Sequence, residues 1–240
     1  MSKKNFYVVM AMKRSGHHVF VRWLCENNGN ITHRNDPIEK LSEGDFDGRQ
    51  KKQYGEGRDT LVNFEDFDTD DLPIIKYPNN SRVYKILFMR DFGNWLASCF
   101  KRKSHPAHQY RDVYDNLFSS HINIRGELKT NRLDLYERQM KLWLKRERDI
   151  ILVSYNKFIA SSEYRDVIAE KLNLENNFGE DVLDEVTPFG DGSSFTGTER
   201  KTISLNQVYS RFMDFIHHPD YQSLLITYNE LLQFSDEEIW

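Results

Sequence analysis

Four short hydrophobic runs stand out along the chain, and polar or charged residues follow each of them. They cover residues 6–12, 61–64, 83–89 and 150–154. Largely apolar runs of this length, without a polar residue at every second place, are typical of strands that are buried on both faces. We therefore predict four strands of a parallel sheet at these positions, the run at 61–64 being the weakest signal.

Amphipathic helix patterns lie between and after these runs. Apolar residues three and four positions apart predict helices over residues 17–27, 132–146 and 164–172. Near the C-terminus, Ser204 and Gln207 form a capping-box pattern, and a last helix is expected over residues 221–232. Strands that alternate with helices imply βαβ units. We therefore expect an α/β fold in which helices flank both faces of a central parallel β-sheet, with a helical C-terminal part.

Two polar segments interrupt this pattern. Residues 36–58 are polar, charged and glycine-bearing, which predicts a long loop. Residues 104–129 are similar but richer in aromatic residues, and we expect a helical lid there. Neither segment is a convincing linker, so we expect residues 1–240 to form a single domain.

Positive and negative charges nearly balance over the whole chain. There are 33 Lys and Arg residues against 37 Asp and Glu residues, so no global basic field exists to hold a nucleic acid or an acidic membrane. The only two cysteines, Cys25 and Cys99, can form one disulfide, but so few cysteines favour a reducing compartment. No stretch approaches the roughly 18 apolar residues of a membrane span, and the run at 6–12 is too short for a signal peptide. We expect a soluble, cytoplasmic protein.

The first predicted strand is followed by a compact candidate site for an anion. Backbone amides at the start of a helix point outward and favour negative charge there. Gly16 permits close backbone approach, Ser15 offers a hydroxyl, and Lys13 and Arg14 add positive charge. The loop is not a Walker A sequence, because it has one glycine and its basic residues come first. An ordinary ATP or GTP site is therefore disfavoured, and a basic turn with a serine cap is the alternative.

The next two residues, His17 and His18, are candidate ligands for an anion or a metal ion. Adjacent helix residues point about 100° apart, so they rarely share one ion. No further Cys or His spacing supports a zinc site. We therefore expect helix capping or hydrogen bonding to the anion, and no metal.

A second candidate anion site follows the strand at 83–89. Arg90 stands at the end of the strand, and Ser98 follows it by eight residues in the helix that Asp91 or Asn94 caps. Both side chains can reach one anion above the sheet edge. The alternatives are an ion pair between Arg90 and Asp91, and a packing role for Ser98.

The two loops together resemble motifs of the sulfotransferase superfamily. These proteins use 3′-phosphoadenosine-5′-phosphosulfate (PAPS) as the sulfuryl donor and release 3′,5′-adenosine bisphosphate (PAP). Arg-Ser-Gly-x-x at residues 14–18 is similar to their 5′-phosphosulfate loop, and Arg-Asp-x-x-x-Trp-x-x-Ser at residues 90–98 is similar to their 3′-phosphate motif. The resemblance implies a P-loop-like, three-layer α/β/α fold, PAPS as donor, PAP as product, and no metal.

Two further segments match the family in part. Tyr155 stands where the family has a Tyr that contacts adenine, although Asn156 replaces the usual Glu. The glycine–serine loop that contains Ser193, Ser194 and Phe195 lies near the place of a late basic loop, which the resemblance implies would close over the nucleotide. The basic residues of that loop are absent here.

The resemblance also implies an in-line transfer to a hydroxyl or amine, in which Arg14 stabilises charge on the leaving phosphate and Lys13 is a second candidate. Arginine stays protonated in proteins, so it acts as a donor and not as an acid. A general base removes the acceptor's proton; we rank His33 first, Asp36 second and Glu65 third. Each of them has the alternative of a solvated loop charge.

Two other kinds of function stay open at this point. A P-loop kinase of a small molecule or nucleotide would explain Arg90, but it predicts magnesium dependence and a Lys-Ser/Thr pair that the loop lacks. A protein that binds a nucleotide or glycan without turnover is the third class. The acceptor is a small molecule or carbohydrate that the sequence does not identify, and neither a nucleic-acid partner nor a membrane span is expected.

Overall fold

A computed structural model describes residues 3–35, 50–54, 59–77, 79–101, 117–118, 121–122, 128–129, 131–175 and 205–239. The strands are β1 (Lys4–Ala11), β2 (Ile31–Asn35), β3 (Gln50–Tyr54), β4 (Asp59–Glu65), β5 (Ser81–Met89), β6 (His121–Ile122), β7 (Leu128–Lys129) and β8 (Ile150–Ser154). The α-helices are α1 (His17–Asn28), α2 (Phe92–Phe100), α3 (Arg132–Lys145), α4 (Tyr155–Ala160), α5 (Ser162–Leu172), α6 (Leu205–Tyr209), α7 (Pro219–Thr227) and α8 (Asn229–Glu238). Short 3₁₀ helices cover Thr69–Ile74 and Arg211–Phe215.

The central sheet has the strand order β3-β2-β4-β1-β5-β8. Strand β1 pairs in parallel with β4 on one side and β5 on the other, and β2 and β8 extend the parallel sheet outward. Strand β3 is antiparallel and forms an edge beside β2. After β1 the chain therefore first adds β2, β3 and β4 on one side of it, and later adds β5 and β8 on the other side. In open α/β sheets a ligand crevice lies at such a point, beyond the carboxyl ends of the strands.

Alternate residues of β1 enter two separate hydrophobic cores, which makes the fold three-layered. On one face the core includes Tyr7, Val9, Phe20, Trp23 and Phe158, from β1, α1 and α4. On the other face it includes Phe6, Val8, Trp95, Tyr136 and Tyr221, from β1, α2, α3 and α7. All of these side chains are buried, so the absence of polar alternation in the 6–12 run is explained by a strand covered on both sides. The expected helix–sheet–helix arrangement is confirmed.

The four predicted strands and the helices near residues 17, 132 and 164 are confirmed, with small shifts at their ends. The expectation of an unbroken loop over 36–58 is wrong, because β3 occupies Gln50–Tyr54. Its sequence is almost wholly polar, so no hydrophobic pattern marks it as a strand. Strand β2 was also missed, for the same reason. Of the expected lid at 104–129, most lies outside the described residues, and the described part includes the antiparallel pair β6–β7.

The C-terminal part is helical, but its helices divide differently from the prediction. The single helix expected over 221–232 is two helices, α7 and α8, which meet at Tyr228. Pro219 is the first residue of α7, a position where its missing N–H leaves no hydrogen bond unmade. Ser204 and Gln207 of the predicted capping box lie outside the described side chains. Cys25 and Cys99 are both buried, and neither forms a disulfide. None of the helices in the described ranges has the length and apolar character of a membrane span.

Candidate functional site

Four loops meet at the carboxyl edge of the parallel sheet. They follow β1, β4, β5 and β8, and they contain most of the residues that the sequence singled out. Because parallel strands all end at the same edge, residues far apart in sequence are brought together there.

The loop after β1 has an unusual backbone that Gly16 makes feasible. Both Arg14 (φ 71°) and Gly16 (φ 84°) adopt the left-handed conformation, and Gly16 is the N-cap of α1. A Cβ atom added at position 16 would lie 2.5 Å from Cε2 of Tyr155. Position 16 therefore requires glycine for two reasons: its backbone is left-handed, and the Tyr155 ring approaches it closely.

Three hydrogen bonds fix the position of this loop. The Lys13 N–H donates to Oδ1 of Asp66 (2.9 Å), and Nε1 of Trp95 donates to the Lys13 carbonyl (2.9 Å). The other oxygen of Asp66 accepts from Nε of Arg132 at 2.8 Å, in an ion pair whose side chains are about nine-tenths buried. The sequence did not predict that Asp66, Trp95 and Arg132 hold this loop, although Trp95 is the aromatic residue of the motif at residues 90–98. They lie on three different elements, and no local motif joins them.

Arg90 occupies a buried pocket beside this loop. Only 2% of its surface is exposed. Its Nη1 donates to Oγ of Ser98 (3.0 Å) and its Nη2 donates to the Val208 carbonyl (3.1 Å). The ring of Tyr155 lies under the guanidinium, with its centroid 4.8 Å from Cζ. Its Nε is buried without a hydrogen-bond partner in the described part of the chain.

The alternative ion pair between Arg90 and Asp91 is not formed. Oδ1 of Asp91 instead accepts from the Asn94 N–H (2.8 Å) and caps α2. Asp91 is one of the two residues that were predicted as caps. Its Oδ2 accepts from Nδ2 of Asn156 at 3.0 Å. Within the described residues, Arg90 is thus a buried cation with no carboxylate to neutralise it. Burying a charge without a counter-charge is costly, so this pocket is suited to an anion.

Tyr155 joins the two loops. The residue is 1% exposed, and its ring lies between Gly16 and Arg90. Asn156, which follows it, holds Asp91, and the Tyr209 hydroxyl donates to the Asn156 carbonyl (2.9 Å). The aromatic side chain predicted at this place therefore packs as a spacer between both candidate anion sites.

His17, His18 and Glu65 form a cluster next to the first loop. Nε2 of His18 lies 2.9 Å from Oε1 of Glu65, and Nε2 of His17 lies 3.5 Å from the same oxygen. Nζ of Lys13 lies 3.4 Å from the other carboxylate oxygen. The expectation that adjacent histidines diverge is wrong here: their ring centroids are 4.1 Å apart, and both rings face the last residue of β4.

The electrostatics of this cluster follow from its burial. Burial, together with the neighbouring charge of His18, lowers the pKa of His17 to about 3, so this imidazole is neutral near pH 7. Burial alone would raise the pKa of the Glu65 carboxyl. The hydrogen bond from His18, then the electrostatic interaction with the two imidazoles and, least, the charge of Lys13 outweigh that effect and hold the pKa well below its usual range. Glu65 is therefore an ionised carboxylate.

His33 lies in β2, so it is not the solvated loop charge that was its alternative. It is fully buried, and its Nε2 bonds to Oδ1 of Asn63. Nδ2 of Asn63 lies 3.4 Å from Nε2 of His17 and donates to Oδ1 of Asn35 at 2.7 Å. A buried polar chain therefore connects the first-ranked base candidate to the cluster at the sheet edge. Asn63 was missed because it interrupts an otherwise apolar strand.

The structure brings together most of the predicted site, as described above. The residues it places at this edge are Lys13, Arg14, Ser15, Gly16, His17, His18, Glu65, Arg90, Ser98 and Tyr155. Asp36, Ser193, Ser194 and Phe195 lie outside the described residues.

Comparison with known proteins identifies the fold. No protein-family model matches the chain, and no curated protein matches it in sequence. A solved structure of mouse sulfotransferase SULT7A1 complexed with PAP superposes with a TM-score of 0.52, covering 96% of this chain and 84% of that one, at 13% identity. The chain has the sulfotransferase fold. A structure of retinol dehydratase with retinol and PAP matches at a TM-score of 0.39 and 13% identity, over 96% of this chain and 71% of that one, too weakly to add to the argument.

The sulfotransferase fold agrees with the resemblance that the two loop motifs carry. At 13% identity the comparison concerns the fold alone. What the site binds must therefore be argued from its own residues.

Proposed function

We propose that the protein is a sulfotransferase that moves a sulfuryl group from PAPS to a hydroxyl or amine of a small-molecule or carbohydrate acceptor. The observation that carries the proposal is the pocket of Arg90. The Arg90 guanidinium is buried next to Ser98 and has no carboxylate partner among the described residues. The Tyr155 ring separates it from the loop after β1, which is the other candidate anion site. A donor with phosphate groups at both its 5′ and 3′ ends matches two such sites.

In this proposal the loop after β1 holds the 5′-phosphosulfate. Its contributions are the first amides of α1, the hydroxyl of Ser15, and the charges of Lys13 and Arg14. Arg90 and Ser98 hold the 3′-phosphate, which would supply the anion that the buried guanidinium needs. Tyr155 would set the spacing between the two sites and border the adenine. The fold supports this assignment, since the mouse sulfotransferase with the same fold is complexed with PAP.

The transfer itself would need a base, an aligned acceptor and stabilised charge. The acceptor oxygen forms a bond to sulfur while the bond from sulfur to the phosphate oxygen breaks, and PAP leaves. Arg14 and Lys13 would stabilise the charge that grows on that leaving oxygen. Of the described candidates, Glu65 is the better placed to take the acceptor's proton, because its carboxylate is partly exposed and lies 3.4 Å from Nζ of Lys13. Its pKa is held well below the usual range, so it would act as a weak base. His33 is buried behind Asn63 and would act only through it.

The nucleotide assignment can be tested by thermal melting in the presence of EDTA. A ligand at 100 times its Kd stabilises the folded state by about 2.7 kcal/mol, which raises the melting point of a chain of this size by roughly 5–10 °C. We expect this shift with PAP, and a much smaller one with adenosine 5′-phosphosulfate, which lacks the 3′-phosphate. In a parallel series with magnesium in place of EDTA, a shift with ATP and none with PAP would contradict the proposal and favour a kinase.

A matched pair of serine variants tests the pocket. Ser98→Ala removes the hydroxyl that Arg90 bonds, and we expect PAP affinity to fall about 10-fold or more, as for a hydrogen bond near a charge. Ser235→Ala is the control, because Ser235 is equally buried but accepts from the Phe92 N–H. It should lower stability and leave PAP affinity unchanged. Equal PAP affinity in both variants would contradict the 3′-phosphate assignment.

A further inference from the structure

The cluster of His17, His18 and Glu65 has the composition and spacing of a metal site. One ligand atom from each residue can be chosen so that all three lie within 4.8 Å of one another. Two imidazoles and one carboxylate are a ligand set that zinc takes at catalytic sites. The helix start and the strand end that supply them are both anchored in the core, so the three side chains are held from two sides.

The distances suit a small tetrahedral ion. Ligand atoms about 2.0–2.2 Å from a tetrahedral zinc ion are separated from one another by roughly 3.3–3.6 Å. Nε2 of His17 already lies 3.5 Å from Oε1 of Glu65, and Nε2 of His18 lies 2.9 Å from it. Insertion of an ion therefore requires the His18 contact to open by about half an ångström. It also requires the ligand atoms of His17 and His18, which lie within 4.8 Å of each other, to reach the tetrahedral separation.

The surroundings support the ligands. Oγ of Ser15 lies 3.4 Å from Nδ1 of His17, where it can accept a hydrogen bond from Nδ1–H; in that tautomer the Nε2 lone pair points to the ion. Asn63 would give up its long contact of 3.4 Å to His17 and keep its bonds to His33 and Asn35. Lys13 contacts the other carboxylate oxygen and is half exposed, so it can turn toward solvent.

Two positive charges oppose a cation at this place. The start of α1 carries the positive end of the helix dipole, and Nζ of Lys13 lies 3.4 Å from the Glu65 carboxylate. Direct coordination by two imidazoles and a carboxylate outweighs a helix end and a half-exposed ammonium that can turn toward solvent.

We propose that His17, His18 and Glu65 bind one divalent transition-metal ion of the zinc class. Three protein ligands leave the fourth tetrahedral position for water or for an oxygen of a bound anion. This site needs no nucleotide, so the proposal does not rest on the transferase function. An ion bound to Glu65 would also occupy the carboxylate that the transferase proposal uses as a base.

The test is direct metal binding to chelator-treated protein without nucleotide. We expect one Zn²⁺ ion per chain by calorimetry, and Co²⁺ should give the intense visible absorption of a four-coordinate ion. Glu65→Gln and His18→Gln should each weaken Zn²⁺ binding by about 100-fold or more, beyond the roughly 10–100-fold that loss of an outer partner costs. His217→Gln is the control, because it removes an exposed imidazole far along the chain and should leave binding unchanged.

Either of two results would overturn the proposal: wild-type protein that binds no Zn²⁺ at micromolar concentration, or variants at Glu65 and His18 that bind as tightly as the control. Melting each variant in EDTA shows whether it is folded. His18 is partly exposed, so its replacement is the milder change. PAP binding in EDTA reports on the transferase proposal separately.

Discussion

Replacing Gly16 by alanine tests how tightly the first loop is packed against Tyr155. The new Cβ would lie 2.5 Å from Cε2 of the ring and 3.0 Å from Cδ2, well inside van der Waals contact. Since the ring is buried between this loop and Arg90, it has no free space into which to move. Overpacking of this kind costs about 1–3 kcal/mol.

The left-handed backbone adds a second penalty, which a matched glycine measures by itself. A side chain at positive φ costs about 1–2 kcal/mol, offset by roughly 0.4–1 kcal/mol from the stiffer unfolded chain. Gly29 has φ 62° and nothing within 4 Å of an added Cβ, so Gly29→Ala should cost about 1 kcal/mol through the backbone alone. Gly16→Ala should cost about 2–4 kcal/mol.

Urea unfolding gives the free energy of unfolding of each variant, and the difference between the two values is the contribution of the Tyr155 ring. We expect Gly16→Ala to melt about 4–8 °C below Gly29→Ala, for an excess of about 2 kcal/mol in a chain of this length. Adding Tyr155→Leu should reduce the penalty at Gly16 toward that of Gly29. The reasoning is refuted if the two alanine variants are equally stable, or if the Gly16 and Tyr155 effects add within about 0.5 kcal/mol.

Two further predictions concern buried groups behind the site. Arg132→Leu leaves Asp66 buried without its partner and should cost about 3–5 kcal/mol, whereas Lys141→Leu, which breaks an exposed pair, should change stability by less than about 0.5 kcal/mol; equal urea midpoints would contradict this. Burial raises the pKa of the Cys99 thiol to about 12, above its ordinary value of 9.0. Between those two values the unfolded chain loses a proton that the folded chain keeps, so stability falls as pH rises. From pH 8 to 10, wild type should lose about 1.4 kcal/mol more than Cys99→Ala; identical losses in unfolding titrations would disprove the assignment.

The features that the sequence predicted best are those that depend on neighbours along the chain. The apolar run before Lys13 marks a buried strand, and the spacing of Arg90 and Ser98 places the first at the end of a strand and the second in the helix that follows. The hydrogen bond between these two side chains confirms that reasoning.

The features that escaped prediction depend on contacts between distant segments. The strand that contains His33 was not predicted because most of its residues are polar, yet His33 is buried against Asn63, a residue thirty positions away. In a sequence, two polar residues that pair with each other in the core have the same pattern as two exposed polar residues. The division of α7 from α8 at Tyr228 was missed for a different reason, because no glycine or proline marks it.

Tyr155 has a consequence for how this sequence can diverge. One ring contacts the glycine of the first loop and the arginine of the second, although these positions are 74 residues apart in the chain. A larger residue at position 16 requires a smaller ring at 155, and a smaller ring at 155 removes the face on which the Arg90 guanidinium rests. The three positions should therefore change together or not at all.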